Sequence, residues 1–295
     1  MIAAKSKGRR MRIVIAVWLA VLAFAGTAVG ADLGPYLRGG QYEEPAPAYR
    51  WSGVYGGGQV GFSVAGIDFT GGVGSLIAHI LRVTAIEQDQ HISNWPLLGK
   101  RNPSGVSFGG FVGYNWQWED AVTGIELNYN RTSLSGSSSD TIERLFLDDS
   151  QALTGHHFQY DVTVQGSATA RITDFGTFRL RGGWAAGPFL PYGFVAFALG
   201  RADVTRSATV QYTKTDLPDP NVTALTFPSP TFGPVTETDG RRGAFAYGAA
   251  AGLGVDVALL SNVFLRTEWE WVQFAPLKGD HIHISTVRTA LGLKF

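Results

Sequence analysis

The chain lacks cysteine altogether and is poor in charge, because only 16% of its 295 residues are Asp, Glu, Lys or Arg. The absence of cysteine excludes a disulfide framework and any chemistry that depends on a thiolate. Water-soluble globular proteins are usually about one quarter charged. Glycine and aromatic residues are abundant instead, with 38 glycines and 12% aromatic residues. The composition therefore favours a protein with much of its surface out of water.

The longest apolar run lies near the N-terminus and has the pattern of a secretory signal peptide. Five basic residues precede it without an acidic one: Lys5, Lys7, Arg9, Arg10 and Arg12. The apolar stretch extends from Ile13 to Val29, and the small residues Ala28 and Gly30 suit a signal peptidase. We predict that residues 1–30 are a signal peptide cleaved before Ala31. The stretch is near the lower length limit for crossing about 30 Å of hydrocarbon, so a retained membrane anchor is the alternative.

The rest of the chain differs from this segment in charge and apolar character. Without the five basic residues it carries 19 basic and 24 acidic residues, a net charge of −5, which argues against a nucleic-acid partner. No later segment has 18 consecutive apolar residues, so no transmembrane helix is predicted there. Residues 31–50 are rich in Pro, Gly and Tyr and are predicted to be a flexible periplasmic lead-in.

From Trp51 onward the dominant pattern has a period of two residues, the period of a half-buried strand. In residues 262–274, apolar side chains such as Trp269 alternate with charged ones such as Glu268. A soluble sandwich turns the apolar face to its core, whereas a membrane barrel turns it to lipid. The alternation repeatedly persists over twelve or more residues, which suits a tilted membrane strand of about 9–11 residues better than a soluble strand of about five or six. We therefore predict an all-β fold, an eight-stranded antiparallel transmembrane β-barrel over residues 51–295.

The predicted strands are joined alternately by short turns and by long segments, as in outer-membrane barrels with periplasmic turns and extracellular loops. The strands are residues 51–64, 105–119, 121–133, 160–186, 190–214, 243–259, 262–274 and 283–295. The long segments are residues 65–104, 134–159, 215–242 and 275–282. The Pro-rich stretch 216–234 cannot form a central strand.

Several motifs resemble a known family. The chain after the signal begins Ala31-Asp32-Leu33, its first strand begins W-S-G-V-Y at Trp51, and it ends VRTALGLKF over residues 287–295. It resembles the small outer-membrane barrels of alphaproteobacteria, a porin-like group related to opacity-type and OmpA-type barrels. The resemblance implies a location in the outer membrane, with outer-membrane lipid as a partner. The first long segment, 65–104, departs from the family because it is unusually apolar, and it is compatible with a helix or a plug.

The polar faces of the predicted strands carry a set of charges. They are Glu126, Arg179, Arg181, Asp256, Arg266, Glu268, Glu270 and Arg288. Eight strands enclose an interior just wide enough for side chains, so these charges must pair to offset desolvation. We predict a structural network of ion pairs that fills the lumen. The alternative is a charge-lined pathway for small solutes.

The last strand carries a candidate assembly signal. Val287, Leu291, Leu293 and Phe295 form an alternating apolar face that ends in a terminal aromatic residue. This pattern resembles the signal that the outer-membrane assembly machinery recognises, which would make that machinery a partner. The alternative is an ordinary final strand that ends in Phe by chance.

Candidate residues for catalysis or metal binding are few. His281 and His283 could offer two ligands on one strand face, but no carboxylate cluster accompanies them beyond Asp280. His283 and Ser285 have the His-x-Ser spacing of barrel lipid hydrolases, a spacing that His91 repeats with its own serine. No acidic residue follows to orient the histidine, as a triad requires. We predict no metal and no cofactor.

The predicted function is that of a non-enzymatic outer-membrane barrel. It would contribute to envelope structure and to surface interaction, with partners bound through segments 65–104, 134–159 and 215–242. A porin for slow passive diffusion is the main alternative, and an outer-membrane lipid hydrolase is the weaker one.

Overall fold

The structure is a computed structural model that describes residues 49–220, 228–276 and 281–295. The predicted signal peptide and the lead-in up to residue 48 lie outside the described residues. Among the residues that are described, no helix is long and apolar enough to cross a membrane.

The described chain forms one closed antiparallel sheet. Its strands are β1 (Gly53–Asp68), β2 (Lys100–Arg101), β3 (Ser104–Trp118), β4 (Ala121–Leu147), β5 (His156–Trp184), β6 (Phe189–Pro218), β7 (Thr231–Ala258), β8 (Val263–Phe274) and β9 (His281–Lys294). Each long strand pairs with its neighbours in chain order, and β1 pairs with β9 from Tyr55↔Lys294 to Asp68↔His281. The short β2 pairs only with Ile67 and Asp68 of β1. The ring therefore contains eight strands, which confirms the predicted barrel.

The apolar and polar residues of the strands lie on opposite faces, as a membrane barrel requires. On β3, the side chains of Val106, Phe108 and Trp118 are exposed, whereas Ser107 and Asn115 are buried. The same alternation places apolar residues outward and charged residues inward on β8. Exposed large apolar side chains around a buried charged interior are the inverse of a soluble protein.

The outward apolar surface has the height of a membrane. On β6 it extends from Phe189 through Val195 and Phe197 to Leu199, and the next outward residue is the exposed Arg201. Ten steps of about 3.3 Å on a strand tilted by about 40° correspond to a band about 25 Å high. We call this band the apolar band. The barrel end with the short turns is the turn end, and the opposite end is the far end.

Strands β4 to β7 continue well beyond the apolar band at the far end, and we call these four continuations the extension. These strands have 27 to 30 residues, whereas β1, β3, β8 and β9 have 12 to 16. The segment predicted as loop 134–159 is strand up to Leu147 and again from His156. The segment predicted as loop 215–242 is strand up to Pro218 and again from Thr231, and its residues 221–227 lie outside the described part.

The prediction that these two segments are loops was wrong, because the polar and apolar faces of the strands exchange sides beyond the far-end edge of the apolar band. In the extension the outward residues are polar, for example Ser137 and Thr169, and the inward ones are apolar, for example Val164 and Val204. Proline is tolerated at Pro234 because β7 in the extension is an edge strand next to a register shift between β6 and β7.

The predicted loop 65–104 contributes an ordered plug. After β1 it forms helices α1 (Gly74–Ile80) and α2 (Ala85–Gln90) and a 3-10 turn (Ile92–Asn94). Leu76, Ile77, Leu81, Ile86 and Ile92 are buried against the inward apolar residues of the extension. The apolar character of this segment is thereby explained, because the plug covers a hydrophobic face that would otherwise line an open mouth.

Candidate functional site: the charged lumen

Register brings the predicted luminal charges face to face. Glu126 on β4 lies opposite Arg179 on β5, and Asp256 on β7 lies opposite Arg266 on β8. All eight predicted residues point inward and are at most 5% exposed. Four are basic and four are acidic, so the cluster as a whole is electrically neutral. We call this set the charge cluster.

Arg179 joins three strands. Its Nη1 lies 3.0 Å from Glu126 Oε1 and 2.9 Å from Glu268 Oε1, and its Nη2 lies 2.6 Å from Glu270 Oε1. Its Nε donates to the hydroxyl of Thr177 at 2.8 Å. Charge-assisted bonds of this kind are about twice as strong as neutral ones. One guanidinium therefore ties β4 and β5 to β8 across the lumen.

Arg266 and Arg181 form the second half of the charge cluster. Arg266 Nη1 lies 2.6 Å from Glu126 Oε2, and its Nε and Nη2 lie 2.8 and 3.0 Å from the two oxygens of Asp256. Arg181 Nη2 lies 2.8 Å from Asp256 Oδ2. On the other side, Arg288 pairs with Glu270. Each carboxylate thus faces more than one cation or hydrogen-bond donor, which is the condition for burying charge without a large net cost.

Sequence analysis did not single out the aromatic residues of the site. The Tyr55 hydroxyl donates to Glu126 at 2.9 Å and accepts from Arg181 at 3.1 Å, and the Tyr192 hydroxyl donates to Glu268 at 2.7 Å. The Tyr192 ring also lies 3.8 Å from the Arg181 guanidinium. Both tyrosines share the inward parity of their strands, so the period-two pattern could have identified them.

Glycines make room for these rings. A Cβ at Gly254 would lie 2.6 Å from the Tyr192 ring, and a Cβ at Gly292 would overlap the Phe264 ring. A barrel of this diameter holds large inward side chains only where the facing position lacks one.

The charge cluster is covered on both sides along the barrel axis. Toward the turn end lies an apolar layer that includes Trp51 and Phe264, with ring centroids 6.0 Å apart. Toward the far end lies a layer of amides, in which Gln59 Nε2 donates to Asn128 Oδ1 and Asn130 Oδ1, both at 2.8 Å. Hydroxyl groups and then the plug follow.

The histidine candidates lie apart from this cluster. His283 lies at the far end of β9 beside Gly66, and Ser285 accepts a hydrogen bond from the indole of Trp269 at 3.0 Å. Asp280 lies outside the described residues. His156 contacts Asp216, and His157 contacts Asp149, at the tip of the extension. Across residues 49–220, 228–276 and 281–295, no group of three or more His, Asp or Glu residues could hold a metal ion.

The predicted assembly residues lie on the outward face of β9. Leu291, Leu293 and Phe295 are exposed, and Val287 is partly exposed. The backbone N–H of Phe295 donates to the carbonyl of Val54 at 2.8 Å, so the terminal residue continues the seam that closes the barrel. Recognition by the assembly machinery stays a prediction.

Comparisons with solved structures found several distant similarities to outer-membrane proteins. Ail of Yersinia pestis has 10% identity and a TM-score of 0.30, covering 82% of this chain and 99% of its own. Neisserial surface protein A has 12% identity and a TM-score of 0.35, covering 83% and 98%. The N-terminal β-barrel domain of Pseudomonas aeruginosa OprF has 9% identity and a TM-score of 0.25, covering 79% and 96%. A search of curated proteins found no match.

The decisive comparison is with a family model rather than with these distant structures. The model of the outer membrane protein beta-barrel domain matches residues 16–295, which is nearly the whole chain. The turn end then faces the periplasm and the extension faces the cell exterior. The chain belongs to the outer-membrane β-barrel family and is a protein of the outer membrane.

Proposed function

We propose that this protein is a closed, non-catalytic barrel that contributes to envelope structure and carries an extracellular extension for surface interaction. The observation that supports this proposal is the filled lumen. An apolar layer, the charge cluster, an amide layer and the plug follow one another along the axis.

A permeating ion would have to separate buried pairs in this lumen. Glu126 and Arg179 are 3.0 Å apart and are each about 1–2% exposed, so the space between them holds no column of water. Breaking such a buried pair costs about 3–5 kcal/mol, and an ion would meet several pairs in succession. The apolar plug would then oppose its hydration at the extracellular end.

The extension supplies the surface for interaction. Its outward face is rich in Ser and Thr, as at Ser135, Ser137, Thr169 and Thr209, and such hydroxyls both donate and accept hydrogen bonds. Because the plug buries most apolar residues of segment 65–104, the contacts of a partner would fall chiefly on the extension and its tips.

The test is conductance in a planar bilayer, run beside a gel assay for heat-modifiable migration that verifies folding. The folded protein is expected to give no steady current. A variant without the plug, with residues 71–98 replaced by a short glycine linker, is expected to stay closed because the charge cluster remains. A steady ion-selective current through the unmodified protein, with Arg266→Ala changing its selectivity and not its stability, would support the porin alternative instead.

A further inference from the structure

The outward surface of β4 to β6 changes from apolar to charged residues at the extracellular edge of the apolar band. Register places Arg131 of β4 beside Asp174 of β5, and Asp174 beside Arg201 of β6. Both arginines are exposed and Asp174 is partly exposed. Arg131 and Arg201 are two strand spacings apart, about 10 Å. This Arg–Asp–Arg row lies at the level where the lipid headgroups of the outer leaflet begin.

A second row repeats the pattern one step further out. Arg171 of β5 lies beside Asp203 of β6, and Asp203 Oδ1 accepts a hydrogen bond from the N–H of Gly243 at 2.6 Å. The exposed Arg242 precedes that glycine on β7. The guanidinium groups of these four arginines form no ion pair within the described residues. The two rows together present four arginines and two aspartates, and we call them the arginine rows.

Directly beneath the arginine rows lies an apolar groove on the lipid-facing surface. The next row of the sheet toward the membrane centre is Tyr129, Gly176 and Leu199. Because Gly176 has no side chain, its neighbours leave a groove of about 610 Å³, lined also by Val112 and Phe178. The groove faces the hydrocarbon of the membrane, so its occupant is an apolar chain.

We propose that the groove and the arginine rows together bind one phosphorylated glycolipid of the outer leaflet. One acyl chain fills the groove over Gly176, and phosphate groups accept hydrogen bonds from Arg131 and Arg201, whose planar guanidinium groups match phosphate oxygens. Asp174 and Asp203 accept hydrogen bonds from sugar hydroxyls, which are neutral donors and do not repel a carboxylate as a phosphate anion does. A phosphorylated sugar is therefore the headgroup that satisfies both kinds of side chain.

The test measures lipid retained by the full-length, detergent-folded barrel in native mass spectrometry. The probes are a doubly phosphorylated, acylated glucosamine disaccharide and its dephosphorylated form. Dephosphorylation and the double variant Arg131→Gln/Arg201→Gln are each expected to lower retention about tenfold. Gly176→Leu, which fills the groove without entering the lumen, is expected to do the same. Arg131→Lys/Arg201→Lys is expected to restore part of the binding.

The matched control is Arg82→Gln, which removes an exposed arginine of the plug, away from the arginine rows. It is expected to leave retention unchanged, and heat-modifiable migration verifies that every variant is folded. Equal retention of both lipid forms would overturn the proposal, and so would full retention by Gly176→Leu. Displacement of the lipid by millimolar inorganic phosphate would also overturn it, because the site would then hold a free anion rather than a lipid.

Discussion

Replacing Arg266 with alanine removes the cation that two carboxylates share inside the barrel. Arg266 is 1% exposed and contacts Glu126 at 2.6 Å and Asp256 at 2.8 and 3.0 Å. After its removal, Glu126 retains Arg179, and Asp256 retains Arg181. The charge cluster, neutral in the unmodified protein, then carries one uncompensated negative charge in a lumen with little room for water.

The expected cost follows from that burial. Removing one partner of a buried ion pair destabilises a protein by about 3–5 kcal/mol. A second substitution, Asp256→Asn, restores neutrality. The double variant Arg266→Ala/Asp256→Asn is therefore expected to be more stable than the sum of the two single effects predicts, by about 0.5–3 kcal/mol.

The measurement is equilibrium unfolding by denaturant in lipid vesicles, with the free energy of unfolding compared over the four proteins of the cycle. The control Arg82→Ala, on an exposed side chain, is expected to change stability by about 0.5 kcal/mol or less. Loss of less than about 1 kcal/mol in Arg266→Ala, or strict additivity in the double variant, would show that water reaches these charges and would refute the reasoning.

Other predictions concern the two faces of β9, the N-terminus and the tip of the extension. Leu291→Arg on the outward face is expected to cost about 2–4 kcal/mol in the same unfolding assay, and no loss would mean that the face is wrongly assigned. Deleting Phe295 is expected to slow barrel assembly, followed by the appearance of heat-modifiable protein, and an unchanged rate would exclude the C-terminal signal. N-terminal sequencing of membrane-extracted protein is expected to begin at Ala31, and a start at the initiator methionine would contradict cleavage. The hydrogen bond between Asp149 and His157 raises the pKa of His157 and lowers the pKa of Asp149. The ion pair between Asp149 and His157 is therefore lost when the pH rises above the pKa of His157 or falls below the pKa of Asp149. Protease cleavage of the turn between these two residues is expected to be slowest in mildly acidic buffer, where both are charged.

The fold could be predicted from the sequence for those strands in which one face is in contact with lipid and the other with the lumen over the whole strand. Between Leu265 and Trp271 of β8 every second residue is charged, so both the barrel and the inward direction of Arg266 and Glu268 could be predicted. The pairing within the charge cluster could not, because it depends on the register of strands distant in sequence. Arg179 and Glu268, for example, are 89 positions apart.

The extension escaped prediction because alternation alone does not show which face is buried. On β5 the buried positions change from even to odd numbers between Ile172 and Phe175, next to a register shift against β6. In the extension, serine and threonine occupy outward positions, as at Ser167 and Thr169, and such residues are common in turns and loops. The alternation of the membrane-spanning part therefore could not be extrapolated beyond this register shift.

The distribution of charge among the strands has a consequence for the order in which the barrel is assembled. Strands β4 to β7 contribute two acidic and two basic residues to the charge cluster, namely Glu126, Asp256, Arg179 and Arg181. The C-terminal hairpin of β8 and β9 also contributes two of each, namely Arg266, Arg288, Glu268 and Glu270. Each part is thus neutral before the two meet, and the hairpin can complete the wall without carrying net charge into the membrane. Ion pairs between the two parts, such as Arg179 with Glu270 and Arg266 with Glu126, then join them across the lumen. A chain truncated before β8 would therefore keep a neutral set of charges but would lose the partners that Arg179 finds in Glu268 and Glu270.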